Sequence, residues 1–348
     1  MRFEHGAETF SRRIAIVRNG AEIGEYRAAD TPQVSMNRDG EIKMSLRGVF
    51  VKNAAADLLT DHIRPYAILN GKEYPLGEYI ATTVKELYSE TGAARVELEA
   101  YDLSYLVKRR TLEERQFLAA GTKYTDAVQA ILIESGLKKI LCEECEATLA
   151  TDREDWEPGE SCLTVVNQLL GEINYNSLWI DLDGNARLSR YHPPDAANIR
   201  HTYRNDEFSV LGGETASELD IYQKYNVFRA VVSNPDYEEP LTAVSVNDDP
   251  NSPLSVMRLG RIAAPIERLS NIASREELQS YVDNQKAKSM IATETVDFTT
   301  AIMPTHNVGD VTALRNKALN GIYEETEWSL PLAYDEVMSH KAKRVMYL

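Results

Sequence analysis

The sequence predicts an α+β protein that is mainly antiparallel β, and three observations predict it. Short alternating apolar segments recur at spacings of about ten residues, punctuated by Asn-Gly, Asp-Gly and proline-rich turns. Helical periodicity is confined to a middle stretch and one later segment. The chain of 348 residues, 43% hydrophobic and 26% charged, has a globular composition and enough length for two or three domains.

The first hundred residues read as strands. Residues 13–18 alternate with Ile14 and Ile16 on one face and end at Asn19-Gly20, a dipeptide suited to a two-residue hairpin turn. Asn37 to Gly40 and Asn70-Gly71 repeat this punctuation. The stretches between and beyond, 41–51, 62–69, 73–87 and 94–103, alternate or are rich in β-branched residues. In the last of them Val96, Leu98 and Ala100 oppose Glu97 and Glu99. This spacing predicts a small antiparallel barrel or sandwich over residues 1–110.

From residue 111 the period changes. Thr111 and Glu114 form a capping-box pair that predicts a short helix towards Phe117. A longer helix is expected from Tyr124 to Gly136, capped by Thr125, with Ala127, Val128, Ile131 and Leu132 on one face. Another runs from Ser161 to Leu170, with Gly171 as its stop. Residues 177–191 fold back around Asp183-Gly184-Asn185, and Pro193-Pro194 closes an α+β domain over 111–200. Strand signal returns over 201–348, first at 220–233, followed by a proline-rich polar loop at 234–255. Ser274 and Glu277 open a helix over about 274–291. In the next strand Val296, Phe298, Thr300 and Ile302 share one face; 307–314, 321–330 and 341–348 complete the set. Because 201–348 repeats the texture of 1–110, two similar small β domains are expected to flank the α+β domain.

The 54 acidic residues against 38 basic ones give a net charge of −16. That balance opposes a phosphate-reading surface and an anionic membrane partner. No run of about 18 apolar residues exists, so no membrane insertion is expected. Residues 1–17 lack the basic stretch and apolar block of a signal peptide, which points to synthesis in a cytoplasm. Three cysteines, an odd and sparse count, predict no disulfide framework.

Cys142-Glu143-Glu144-Cys145 is the one C-x-x-C. A zinc site would need a second pair at usable spacing, and the nearest candidates are Cys162 and His192. Its glutamates would raise a thiol pKa, against a redox role. Cys162, in the first turn of a predicted helix, could be drawn with His192 or His201 as nucleophile and base, but no peptidase signature surrounds it. Asp181-x-Asp183-x-Asn185 imitates the start of a calcium loop, yet Ala186 stands where glycine is required and His192 where glutamate is. It reads as a turn. The six histidines are scattered. No catalytic, cofactor-binding or metal residue is assigned, no cofactor is expected, and the chain is expected not to be an enzyme.

Three stretches carry a resemblance. They are Tyr74-Pro-Leu-Gly-Glu-Tyr79 with Tyr101-Asp102-Leu103; Phe117-Leu-Ala-Ala-Gly121-Thr122 leading into the helix that ends Glu134-Ser-Gly136; and Asp248-Asp-Pro-Asn-Ser-Pro253 with Asn307-Val-Gly309-Asp310-Val311. In these, and in the order of its segments, the chain resembles the baseplate hub protein of contractile phage tails, in the prophage and tailocin form of Gram-positive bacteria. The resemblance implies a virion structural protein with two tail-tube-like barrel domains. It further implies a homotrimer whose six such domains form a pseudo-six-fold ring joining the tail tube protein to the central spike protein and other baseplate proteins. No catalytic residues carry over. DNA would pass through the channel without specific binding, because three chains of −16 each present a negative wall to phosphate. The alternative reading is a tail-tip protein that binds or degrades host cell-wall glycan. Such a binder would be expected to cluster exposed Trp and Tyr, whereas Trp156, Trp179 and Trp328 lie far apart; eighteen tyrosines keep it open.

Overall fold

Phe10–Arg18 (β1) and Ala21–Glu25 (β2) pair as the hairpin expected at Asn19-Gly20, whose residues hold φ of 51° and 81°. The computed structural model describes residues 9–88, 92–204, 211–219, 224–232, 240–269, 274–317 and 319–347. Of these, the residues up to Thr215 together with Asp297–Ala342 make one compact unit, and Ala216–Val296 with Lys343–Leu348 make a second.

The first unit continues through Gln33–Asn37 (β3), Met44–Val51 (β4), His62–Leu69 (β5), Lys72–Pro75 (β6), Tyr79–Leu87 (β7) and Arg95–Asp102 (β8). Strict alternation in β5 and β8 turns Ile63, Ala67 and Leu69, and Val96, Leu98 and Ala100, inward. In β1 Ala15 and Val17 are buried as well as Ile14 and Ile16, so this strand is covered on both faces. Then follow Ser104–Arg109 (α1), Tyr124–Glu134 (α2), Ile140–Cys142 (β9), Cys162–Glu172 (α3), Trp179–Ile180 (β10), Ala186–Leu188 (β11) and Ile199–Arg204 (β12). The helices and their hairpin build a core of their own around Val107, Val128, Leu132, Trp156, Val166 and Leu178.

Leu211–Leu219 (β13) leads to the second unit. There Val227–Val232 (β14) lies between Leu241–Val246 (β15), antiparallel to it, and Glu267–Leu269 (β16), parallel to it. Val256–Leu259 (α4) lies between β15 and β16 in the chain. Arg275–Ser289 (α5) is polar except for one stripe, and that stripe brings Leu278 and Val282 against Phe228, Ala230, Val232 and Ala243. Buried Asn226 ties the loop around α4. It donates to the carbonyls of Leu254 (3.0 Å) and Gly260 (2.8 Å) and accepts from the Ile262 amide.

Ile291–Thr300 (β17), Val311–Arg315 (β18), Asn320–Pro331 (β19) and Met338–Tyr347 (β20) end the chain. The strand order through the first unit is β17–β20–β19–β3–β4–β8–β7–β5–β1–β2, with β18 on β19, β12 on β18 and β6 on β5. Every pairing from β19 to β2 is antiparallel. The C-terminal strands thus enter the same sheet as the N-terminal ones. The path ends at β2, and no closed barrel is found among the described residues.

Several expectations need correction. Thr111 opens no helix: Leu112 donates to Glu160 and accepts from Gly159, so the backbone there pairs with the loop before α3. Tyr124–Glu134 (α2) takes Lys123 as its N-cap residue, with Thr125 inside the helix. Gly171 is passed; α3 ends past Glu172 at Ile173 and at Asn174, with φ 57°. The stretch 234–255 contains β15, which is an edge strand, where a preceding Pro240 costs no ladder bond. Strand β17 stops at Thr300, before Ile302. Residues 220–223 and 233–239, part of the expected strand and loop, lie outside the described residues.

Candidate functional site

Three of the six histidines scattered in the sequence, His201, His306 and His340, meet in the first unit. Alternation along β20 turns Met338, His340 and Ala342 inward, and along β17 it does the same for Phe298 and Thr300. Opposite them β19 places Glu325, wholly buried, and the loop before β18 places His306. Glu325 receives both rings: His306 Nδ1 lies 2.5 Å from Oε2, and His340 Nδ1 lies 2.9 Å from Oε1. The far nitrogens are also held. His306 Nε2 is 2.6 Å from the Tyr203 hydroxyl, and His340 Nε2 is 2.8 Å from Thr300 Oγ1.

A second pair borders the first. His201 of β12 reaches Asp310 through Nε2 at 3.1 Å and stacks on His306, with centroids 3.6 Å apart and planes 12° apart. Asp310 also accepts from the Asn307 amide at 2.9 Å, in a loop where Gly309 takes φ 68°. Phe298 stacks on His340 at 4.6 Å and completes the apolar wall.

Burial alone would push the Glu325 carboxyl up, but the His306 and His340 imidazoles outweigh it and hold it below the ordinary carboxylate range. Burial lowers His306 and raises Tyr203, so the latter stays a phenol. Two sets of three could ligate a metal ion among the described residues: His306 with Glu325 and His340, and His201 with His306 and Asp310. In the second set the parallel rings cannot aim two lone pairs at one ion.

The residues weighed in sequence fall elsewhere. Cys142 lies half-buried in β9, and Cys145, half-buried beyond it, packs with it against the helical core. Neither joins a group of three ligand atoms among the described residues. Burial raises the thiols of Cys142 and Cys162, opposite to what a nucleophile needs. Ser161 caps α3 through its side chain, as its position suggests, and leaves Cys162 buried against the core. His192 is exposed. Asp181 Oδ1 accepts from the amides of Asp183 and Asn185, an Asx turn with Gly184 at φ 81°, so the mimic of a calcium loop is a hairpin turn. Replacing Cys142 and Cys145 together by serine is therefore expected to cost about 1 kcal/mol in urea unfolding and to leave the helical core intact.

The three stretches that carry the resemblance hold turns. Gly77, at φ 100°, lets Tyr79 send its hydroxyl back to the Leu76 carbonyl at 2.6 Å. Buried Asp102 accepts from the Ser104 amide and hydroxyl and from the Met44 amide, which fixes the exit from β8.

No protein-family model matches the chain, and no curated protein matches its sequence. Solved structures match its fold over nearly all its length. It is similar to a tail protein from Neisseria meningitidis MC58, at 14% identity and a TM-score of 0.58, over 96% of each chain. It is similar to the 43 kDa tail protein of prophage MuSo2 from Shewanella oneidensis, at 10% identity and a TM-score of 0.61, over 96% of this chain and 98% of that one. It also matches the E. coli c3393 protein, a type VI secretion component described as similar to T4 bacteriophage tail proteins gp27 and gp5. That match has 10% identity and a TM-score of 0.51, over 96% of this chain and 76% of the other. The chain therefore has the mostly antiparallel β fold of phage tail proteins.

Proposed function

We propose that this protein is a structural component of a phage-type tail baseplate, specifically its hub. The observation that carries the reading is the match of fold to two tail proteins over 96% of this chain. The hub is a homotrimer forming a pseudo-six-fold ring between the tail tube and the central spike, and it resides in the virion after synthesis in the host cytoplasm. The likeness of the matched secretion component to the T4 tail proteins gp27 and gp5 supports association with other tail proteins. The ring wall, with −16 per chain, repels DNA phosphates and lets the nucleic acid pass. No catalysis is proposed: the histidine cluster is closed to substrate, with His306, His340 and Glu325 each at most 3% exposed.

Assembly proceeds through strand edges. Among the described residues β2 is exposed at all five positions and ends the sheet path, so its outer edge is placed to receive a neighbouring strand. The glycan-binding alternative loses its best platform, because Trp156 and Trp328 are buried in cores.

Native mass spectrometry and negative-stain microscopy of the chain, alone and with its tube and spike proteins, test this. A ring of three 39.1 kDa chains is the expected result. A species that stays monomeric in the presence of both partners rules the hub reading out.

A further inference from the structure

We propose that the apolar, basic loop over 257–268 docks on the acidic turn over 334–337 of a second copy of this chain. This contact rests on the homotrimer reading and adds to the β2 edge a second pair of surfaces through which copies meet. Around α4 the chain exposes Met257 (73%), Leu259, Ile262 and Ile266. The loop that carries them is fixed from beneath by buried polar groups. Asn226, 1% exposed, bonds the Leu254 and Gly260 carbonyls and the Ile262 amide, and its own amide donates to the Ile262 carbonyl at 2.9 Å. Buried Ser255 accepts from the Met257 amide at 3.3 Å, and buried Asn247 donates to Ser252 Oγ at 2.8 Å. A loop ordered before contact loses little conformational entropy on binding, so its exposed apolar side chains can serve as anchors. Met and Arg are residue types that interfaces favour.

Charge selects the occupant. Arg258, Arg261 and Arg268 are exposed, and none forms an ion pair among the described residues. Glu267, the only carboxylate of 257–268, is engaged by the Tyr281 hydroxyl. Such a patch, on a chain of net charge −16, is complementary to a surface that is apolar and acidic. The chain carries such a surface itself. The turn between β19 and β20 exposes Tyr334 (65%) and Val337 with Asp335 and Glu336 between them, and neither carboxylate is paired among the described residues. Leu332 and Met338, both buried in the core of the first unit, hold the two ends of this turn. Loop and turn are thus two unlike surfaces of opposite charge on one chain. A cyclic trimer needs such a heterologous pair, because its subunits meet head to tail.

The test uses the full chain, with and without its tube and spike proteins. The double variant Arg258→Lys with Arg261→Lys keeps the charge and supplies amines that a carbodiimide couples to adjacent carboxylates. Mixed 15N-labelled and unlabelled chains should give amide links from these amines to Asp335 or Glu336, joining a labelled peptide to an unlabelled one. Sedimentation gives the second readout. Arg258→Glu with Arg261→Glu should weaken self-association by about 10- to 100-fold. Adding Asp335→Arg and Glu336→Arg to the same chain should restore it, since the charges are then exchanged and not removed. All four positions are exposed, so the urea midpoints should stay at that of wild type. Links confined to peptides of one isotope form, or links to the tube or spike protein in place of a second copy, overturn the contact. A trimer whose association ignores the charge reversal overturns the contact and leaves the hub reading standing. A chain that stays monomeric with both partners present removes both.

Discussion

Trp328→Ala is expected to destabilise the first unit by about 3–5 kcal/mol, read as a lowered urea midpoint with an unchanged slope. Trp328 is 2% exposed and sits in β19 opposite Met36 of β3, the register at which the C-terminal strands join the N-terminal sheet. Its indole packs in the core that holds Val34, Met36, Leu46, Leu330 and Met338. Removing it opens a cavity at the only strand pairing that links β3 to the last hundred residues in the described sheet path. Trp179→Ala is the matched control. Trp179 is half-buried in a two-residue strand and should cost clearly less. A loss below about 1 kcal/mol for Trp328→Ala would mean that the C-terminal strands are not an integral part of this sheet.

That junction shows where the sequence is legible and where it is not. Alternation in β5, β8 and β17 picks out inward residues correctly, because a period of two is a local property of a half-buried strand. Asn19-Gly20 and Asn70-Gly71 mark hairpins because left-handed φ suits those residues. The pairing of β19 with β3 leaves no such mark, since it joins residues nearly three hundred positions apart through backbone bonds. The Thr111 and Glu114 pair misleads for a related reason. Its capping chemistry is local, but the loop at 159–162 offers the same backbone groups better partners. The histidine cluster is half legible. His340 falls between Met338 and Ala342 on the inward face of an alternating strand, a sign that its ring is buried. Its partners His306 and Glu325 arrive from a loop and another strand, and no spacing in the sequence forecasts that meeting.

Acid should unfold the protein in part through Glu78, the glutamate of the Tyr74-to-Tyr79 stretch. Its carboxylate is 8% exposed, bonded by His62 Nδ1 at 2.6 Å and by the Arg64 guanidinium. Burial raises its pKa, but the hydrogen bonds and charges of His62 and Arg64 outweigh burial and bring it down from 4.5 to about 2. A carboxyl depressed in the folded state contributes stability that is complete above its unfolded pKa. That stability fades as pH falls from about 4.5 through about 2, where folded and unfolded forms are both protonated. The depression is worth about 3 kcal/mol at neutral pH. Other depressed carboxyls, such as Asp61 beside Arg18, add to the same acid lability, whereas Asp102, raised by burial, opposes it. Comparing wild type with Glu78→Gln removes these shared contributions. The variant should be less stable by about 3 kcal/mol at pH 7, and the gap should close as pH falls below about 4. A gap that is constant from pH 7 to pH 3 would show that Glu78 acts by packing and not by its charge. The geometry favours charge: the Gly77 amide already donates to the Leu182 carbonyl, so the chain around Glu78 is fixed by the backbone, and what the carboxylate adds is its pairing with His62 and Arg64.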